Sequence, residues 1–180
     1  MHNQFLLPLA VALMITCGTS SAATTPGSEP HQYSGQRANQ PQFFATPGYG
    51  DRQLKEMYYS QAVRIGNRVE TSGQGGWSDD WKFPESIDDE IAQAFRNVER
   101  TLKTAGATWN DVVSVDSYHV GGFGPGVNET MVKEFRHYMP EHAPIWTETG
   151  VSSLGDPTMR VEIRVTAIVP TTSTSPSHKN

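Results

Sequence analysis

The most constraining feature of this sequence is a regular alternation from Met159 to Val169. Apolar residues occupy every second position, and most positions between them are charged: Met159, Val161, Ile163, Val165, Ala167 and Val169 alternate with Arg160, Glu162, Arg164 and Thr166. A period of two over this length predicts a β-strand with one buried face. The polar face has two interpretations, a solvated surface or a surface that meets another subunit and lines a pocket.

A second strand, from Ile145 to Val151, precedes this one and carries Trp146 and Glu148. Residues 154–157, between the two strands, read Leu-Gly-Asp-Pro, a composition typical of a turn. The sequence therefore predicts two strands joined by a turn over residues 143–169.

The chain before this segment predicts a hairpin, two helices and a further strand. The hairpin falls within residues 57–75 and turns at Gly66-Asn67. Apolar residues at helical spacing predict helices over 86–105 and 128–139, and Ser86 is placed to cap the first. The strand covers 111–120, with Val113, Val115 and Ser117 on the face opposite Val112, Ser114, Asp116 and Tyr118.

This order of elements predicts a two-layer α+β domain with a mixed sheet. Right-handed crossovers place both helices on one face of the sheet. The other face has no cover, which indicates oligomerisation. His119 stands alone in its strand, without a second His or carboxylate at metal-ligand spacing, so a structural role is expected and no metal site is predicted.

The rest of the chain is divided by composition. Residues 1–23 predict a signal peptide, with an apolar run and small residues before the cleavage point, and hence a secreted or periplasmic protein. Residues 24–47 predict a disordered lead-in, 48–169 the globular domain and 170–180 a disordered tail. Cys17 is the only cysteine and lies in the predicted signal peptide, so disulfides and thiolate chemistry are excluded from the mature protein.

Charge and hydropathy exclude two classes of partner. The net charge of -5 comes without a basic stripe, so the sequence does not predict a nucleic-acid binder. No segment after the signal peptide is long and apolar enough to predict a membrane span.

Several motifs, taken in order, resemble the RidA/YjgF family of reactive-intermediate deaminases, also called RutC-like or endoribonuclease L-PSP proteins. These are Tyr59-Ser60-Gln61-Ala62-Val63, Ser72-Gly73-Gln74, Ala105-Gly106-Ala107 before Asp111-Val112-Val113, then Pro140, His142 and Pro144, and Arg160-Val161-Glu162-Ile163. The resemblance implies a chorismate-mutase-like fold and a homotrimer with clefts between subunits. In the family these clefts bind 2-imino acids or their enamine tautomers, and water hydrolyses them without metal or organic cofactor.

The resemblance also implies roles for particular residues. Tyr59 matches an aromatic residue that closes the pocket, and Ser72 and Gly73 match the loop whose backbone holds the substrate. Asn128 matches a polar pocket residue. Glu162 matches the carboxylate that orients the attacking water; its alternative role is an ion pair with Arg160 or Arg164.

One position departs from the family pattern. The deaminases carry an arginine near the start of the strand at 145–151, where it binds the substrate carboxylate bidentately. This chain has Trp146 there, and Glu148 two positions on. An indole has a single N–H donor and no charge, and a carboxylate would repel an acidic substrate. Arg160 or Arg164 is the remaining source of a cation.

These observations predict a trimeric hydrolase of a small imine or enamine that is not a standard 2-imino acid. One alternative is a non-catalytic binding module with a cleft lined by Trp146, Trp77 and Tyr59. Another is a tautomerase or cyclase that uses Glu162. Ribonuclease activity ranks last because the sequence shows no basic footprint and no His pair for acid–base cleavage.

Overall fold

A single mixed sheet organises the part of the chain that this computed structural model describes, residues 39–171. Its strands are β1 Gln42–Phe44, β2 Ala62–Ile65, β3 Arg68–Thr71, β4 Gln74–Gly75, β5 Val112–Val120, β6 Ile145–Val151 and β7 Val161–Ile168. The order across the sheet is β1-β2-β3-β7-β5-β6, and β4 pairs with β7. The β5–β6 pair is parallel, and the other described pairs are antiparallel.

Three α-helices accompany the sheet: α1 Tyr49–Met57, α2 Ile87–Thr104 and α3 Val127–Tyr138. The helix α2 begins where predicted, because the Ser86 side chain accepts a hydrogen bond of 3.0 Å from the Asp89 N–H. It ends before Gly106, whose φ of 73° suits a helix C-terminus. The predicted second helix is confirmed as α3.

The core lies between the sheet and the helices α2 and α3. The alternation in β7 is confirmed, since its odd-numbered side chains Val161, Ile163, Val165 and Ala167 are at most 1% exposed. They join the buried face of α2 and Met131 of α3 in one apolar cluster. Each large apolar side chain that is fully buried in this way stabilises the folded state by about 1.5–3 kcal/mol. The predicted two-layer α+β architecture is therefore present.

The two strands predicted over 143–169 both form and follow one another along the chain as β6 and β7. They are not neighbours in the sheet, because β5 lies between them. The face assignment at the start of β5 was wrong for two residues: Val112 is buried and Val113 is 45% exposed. A register irregularity between Val112 and Ser114 shifts the alternation by one residue there.

Several elements were not predicted, among them β1 and α1. Residues 42–44, assigned by composition to the disordered lead-in, form β1 and pair with β2. The helix α1 escaped detection because it buries Tyr49 and Gln53 through polar contacts rather than an apolar stripe. The predicted signal peptide (1–23), most of the predicted lead-in and nearly all of the predicted tail lie outside the described residues. Within 39–171, no helix has the length and hydropathy needed to cross a membrane.

Candidate functional site

A cavity of about 560 Å³ opens beside Glu162, at the edge of the short strand β4. We call it the Glu162 cavity. Its lining includes Tyr59, Gly73, Trp77, Trp81, Met159 and Glu162. Three of the residues predicted from the sequence, Tyr59, Gly73 and Glu162, are thus brought together.

The carboxylate of Glu162 lies directly against Gly73, at the position where a Cβ would stand. Among the ion pairs of the described residues, none involves Glu162. Burial raises the pKa of this carboxyl above its usual value. A desolvated carboxylate without a cation partner can take a proton from a bound water more readily than an ordinary surface glutamate.

Tyr59 and Ser72 are held in place by a network of glutamines. The Tyr59 hydroxyl donates to Oε1 of Gln53, and burial raises the pKa of the phenol. The Ser72 hydroxyl donates to the Gln61 carbonyl over 3.3 Å and accepts from Nε2 of Gln74 over 3.0 Å. The Ser72 side chain therefore fixes the turn between β3 and β4.

The remaining predicted residues form a second group, on β6 and α3. The Trp146 indole donates to the Ser117 hydroxyl over 2.9 Å and packs edge-on against Phe135. Oriented with its nitrogen inward, the Asn128 amide donates to Oε1 of Glu148 over 2.8 Å. Burial raises the pKa of Glu148, whose side chain is 15% exposed.

A buried histidine links these residues, and the sequence reasoning did not place it at the site. His119 is 1% exposed, and its Nε2 lies 3.0 Å from the Ser117 hydroxyl and 3.4 Å from Oε1 of Glu148. Burial lowers its pKa to about 4, so the ring is neutral at physiological pH. The sequence did contain a pattern that could have predicted the contact between Ser117 and His119: the period of two in β5 places both residues on the same face of the strand.

Ser117, His119 and Glu148 do not form a catalytic triad. Both the hydroxyl and the carboxylate approach Nε2, whereas a triad sets them on different ring nitrogens. Nδ1 of His119 has no hydrogen-bond partner among the described residues, and Ser117 is fully buried. The arrangement is that of a structural polar cluster beneath the sheet.

The two groups of predicted residues lie on opposite faces of the sheet. Glu162 pairs with Tyr118, whereas Glu148 pairs with Ser117, the preceding residue of β5. Successive residues of a strand point to opposite faces. A single copy of the chain therefore does not bring Trp146 and Glu148 to the Glu162 cavity.

Neither Arg160, directly before β7, nor Arg164, within it, is free to replace the missing cation. The Arg160 side chain is bound to the fully buried Glu90, with Nε 2.6 Å from Oε2, and also donates to the Pro84 and Glu85 carbonyls. Arg164 pairs with Glu70 over 2.8 Å and lines a separate cavity. The alternative interpretation of Glu162, an ion pair with either arginine, is therefore not seen.

No group of three or more His, Cys, Asp or Glu residues within 39–171 is placed to hold a metal ion. The chemistry available at the Glu162 cavity comes from carboxylates, a guanidinium, a phenol, backbone groups and indole rings. Such a set can place a water molecule and move a proton.

Comparison with known proteins identifies the family. A family model described as Endoribonuclease L-PSP matches residues 51–169. The chain belongs to this family, the RidA/YjgF family. The resemblance to this family that was predicted from the sequence is confirmed.

Two curated family members are similar in sequence. The chain is 32% identical over 115 residues to the RutC family protein YjgH of Escherichia coli K12, covering 64% of this chain and 86% of that protein. It is 33% identical over 115 residues to a 2-iminobutanoate/2-iminopropanoate deaminase of Dermatophagoides farinae, covering 62% and 85%.

Solved structures of RidA/YjgF proteins share the fold. Protein YjgH matches with a TM-score of 0.62 at 27% identity, over 74% of this chain and 98% of that one. A YjgF/YER057c/UK114 family member from Mycobacterium tuberculosis matches with a TM-score of 0.59 at 25% identity, over 72% and 100%. The predicted chorismate-mutase-like α+β fold is confirmed, with α1 as a third helix.

Proposed function

We propose that this RidA/YjgF protein hydrolyses a small imine or enamine to a carbonyl compound and ammonia, with Glu162 as the general base. The observation that carries the proposal is the Glu162 carboxylate, which forms no ion pair among the described residues and lies desolvated against Gly73 in a cavity that Tyr59 lines. The similarity to a relative named as a 2-iminobutanoate/2-iminopropanoate deaminase supports the reaction class.

In the proposed reaction, Glu162 takes a proton from a water molecule as the water oxygen attacks the imine carbon. The C=N double bond becomes a single bond, and the protonated Glu162 returns its proton to the nitrogen, which gives an amino alcohol. Glu162 then takes the hydroxyl proton as the C=O bond forms and the C–N bond breaks, and it passes that proton to the departing nitrogen. Ammonia leaves, Glu162 is ionised again, and the net reaction consumes one imine and one water. Positioned proton transfer of this kind accelerates a reaction by about 10²–10⁴-fold.

The cleft in this proposal is completed by a second copy of the chain. Each copy presents the Glu162 cavity on one part of its surface and the group of Trp146, Glu148 and Asn128 on another. A homotrimer in which the sheet edge at β6 of one copy lies against the uncovered sheet face of the next would bring one group against the other. Because position 146 offers an indole rather than a guanidinium, the substrate is not selected by its carboxylate. The predicted signal peptide adds the proposal that the trimer works outside the cytoplasm.

The test is hydrolysis of imines generated in situ by an amine or amino-acid oxidase and trapped by semicarbazide. Adding the protein should reduce trapping, and Glu162→Gln should abolish that effect. If the protein leaves trapping unchanged for every imine, the hydrolase proposal fails. The aromatic lining of the cavity also fits a non-catalytic binding module, for which Glu162→Gln would retain ligand affinity and no variant would show turnover.

A further inference from the structure

The Glu162 cavity has an aromatic wall that the proposed hydrolysis does not use. Trp77 and Trp81 stack there with ring centroids 4.7 Å apart and planes inclined by 19°. Met57 and Met159 line the same cavity. Trp77 is almost completely buried, whereas Trp81 and Met57 retain exposed surface toward the cavity. The surface next to Glu162 is therefore largely aromatic and polarisable, with the Arg52 guanidinium 5.8 Å from the centroid of the Trp81 ring.

Trp81 is held in this wall by an unusual backbone conformation. Its φ is 61°, in the left-handed region that bulky residues rarely adopt. The indole N–H donates to Oδ2 of Asp156 over 3.0 Å, and the backbone N–H donates to the Ser78 carbonyl over 2.9 Å. Backbone strain that is maintained by several surrounding contacts is concentrated at ligand clamps and active sites.

The charges around the cavity favour apolar contact as the source of selectivity. Arg52 is the single cation among its described lining residues, and it donates to the Asp79 carbonyl over 3.1 Å. Glu56, Asp156 and Glu162 supply three carboxylates against it. An acidic group on the substrate therefore gains little here, whereas a flat apolar group gains the contact area of the indole and the thioethers.

We propose that Trp81 is a specificity-determining residue, and that the wall beside Glu162 receives an aryl-sized apolar group carried by the imine. The kinetic part of this inference rests on the proposed function. The binding of the aryl group can be measured without turnover.

The kinetic test compares two imines that carry no carboxylate and differ only in this group, generated by an amine oxidase from 2-phenylethylamine and from ethylamine. Wild-type protein should show kcat/KM for the phenyl-bearing imine at least about tenfold above that for the methyl-bearing imine. Trp81→Ala should bring the ratio toward one, and Trp81→Phe should keep most of it. Trp109→Phe, in the buried core, is the matched control and should leave the ratio unchanged. Equal kcat/KM for the two imines in the wild type, or an unchanged ratio in Trp81→Ala, would overturn the inference and leave the proposed hydrolysis standing.

A binding measurement keeps the inference testable even if no imine is hydrolysed. Phenylacetone and butanone are neutral carbonyl compounds that differ in the aryl group. Phenylacetone should quench tryptophan fluorescence saturably in the wild type and in Trp109→Phe, and butanone at the same concentrations should not. Trp77 remains as a fluorophore at the wall in both Trp81 variants, so loss of saturable quenching in Trp81→Ala with its retention in Trp81→Phe supports the inference. Equal quenching by the two ketones, or no quenching by phenylacetone, overturns it.

Discussion

Gly73 lies directly against the carboxylate of Glu162, and a Cβ at position 73 would overlap Oε1. The φ of Gly73 is not in the left-handed region, so the glycine is required for space rather than for backbone conformation. Because Gly73 has no side chain, the carboxylate of Glu162 can occupy the space beside it, near the contact between β4 and β7.

Gly73→Ala should therefore reduce activity more than stability. The atoms that an added methyl group meets belong to the flexible Glu162 side chain, which can move away without unfolding the domain. Misplacing a catalytic group by about 1 Å can cost about 10²-fold in rate, so kcat/KM for imine hydrolysis should fall by about that factor. Gly124→Ala, which meets nothing within 4 Å, is the control. Unchanged kcat/KM in Gly73→Ala would contradict the assigned role of Glu162.

Glu162→Gln should change the pH dependence of stability as well as turnover. Since burial raises the pKa of Glu162, the folded protein retains this proton to a higher pH than the unfolded chain does. The carboxyl thus stabilises the fold at low pH, and this contribution is lost as pH rises through the folded-state pKa. Urea unfolding should show Glu162→Gln gaining stability relative to wild type between pH 4 and pH 7. A stability difference that stays constant over this range would refute the raised pKa of Glu162. In the hydrolysis assay, kcat/KM of Glu162→Gln should fall about 10²–10⁴-fold.

The sequence predicted the strands and helices themselves better than the order in which the strands lie in the sheet. The period of two in β7 and the cap at Ser86 are local signals, and both are present in the structure. The insertion of β5 between β6 and β7 depends on pairing between distant segments, which no local pattern reports. The same holds for the site. Alternation predicted which face of its own strand each of Glu162 and Glu148 occupies. That these two faces are opposite faces of the sheet follows from the register of both strands against β5.

His119 should make the fold less stable in acid. Burial lowers its pKa from 6.5 to about 4, so the unfolded chain binds a proton that the folded protein excludes between these values. Stability should fall as pH decreases from about 6.5 to 4, by up to about 3 kcal/mol. His119→Leu should reduce this fall, whereas His137→Gln, at an exposed position, should not. If His119→Leu does not fold, NMR titration of the wild-type His119 ring provides the measurement, and a pKa near 6.5 would contradict the prediction.

Arg160→Met should destabilise the protein strongly because Arg160 neutralises a buried charge. Glu90 is fully buried, and its carboxylate accepts from the Arg160 backbone N–H over 2.7 Å and from Nε over 2.6 Å. Removing one partner of such a pair costs about 3–5 kcal/mol. Arg68→Met removes an ion pair with Glu70 whose arginine is 53% exposed, and should cost less than about 1 kcal/mol. Urea unfolding of both variants measures the difference, and equal losses would show that the Arg160 pair is not structural.

Ile145→Asp should separate the proposed trimer into monomers. Ile145 is 74% exposed on the sheet face opposite the helices, because its neighbour Trp146 points into the helix layer. A carboxylate on that face leaves the folded monomer intact and places a desolvated charge in any interface that covers it. Sedimentation should show a trimer for the wild type and a monomer for Ile145→Asp, with loss of imine hydrolysis. Val132→Asp, on the exposed side of α3, should remain a trimer with full activity. A monomeric wild type, or an active monomeric Ile145→Asp, would remove the second copy of the chain from the proposed cleft.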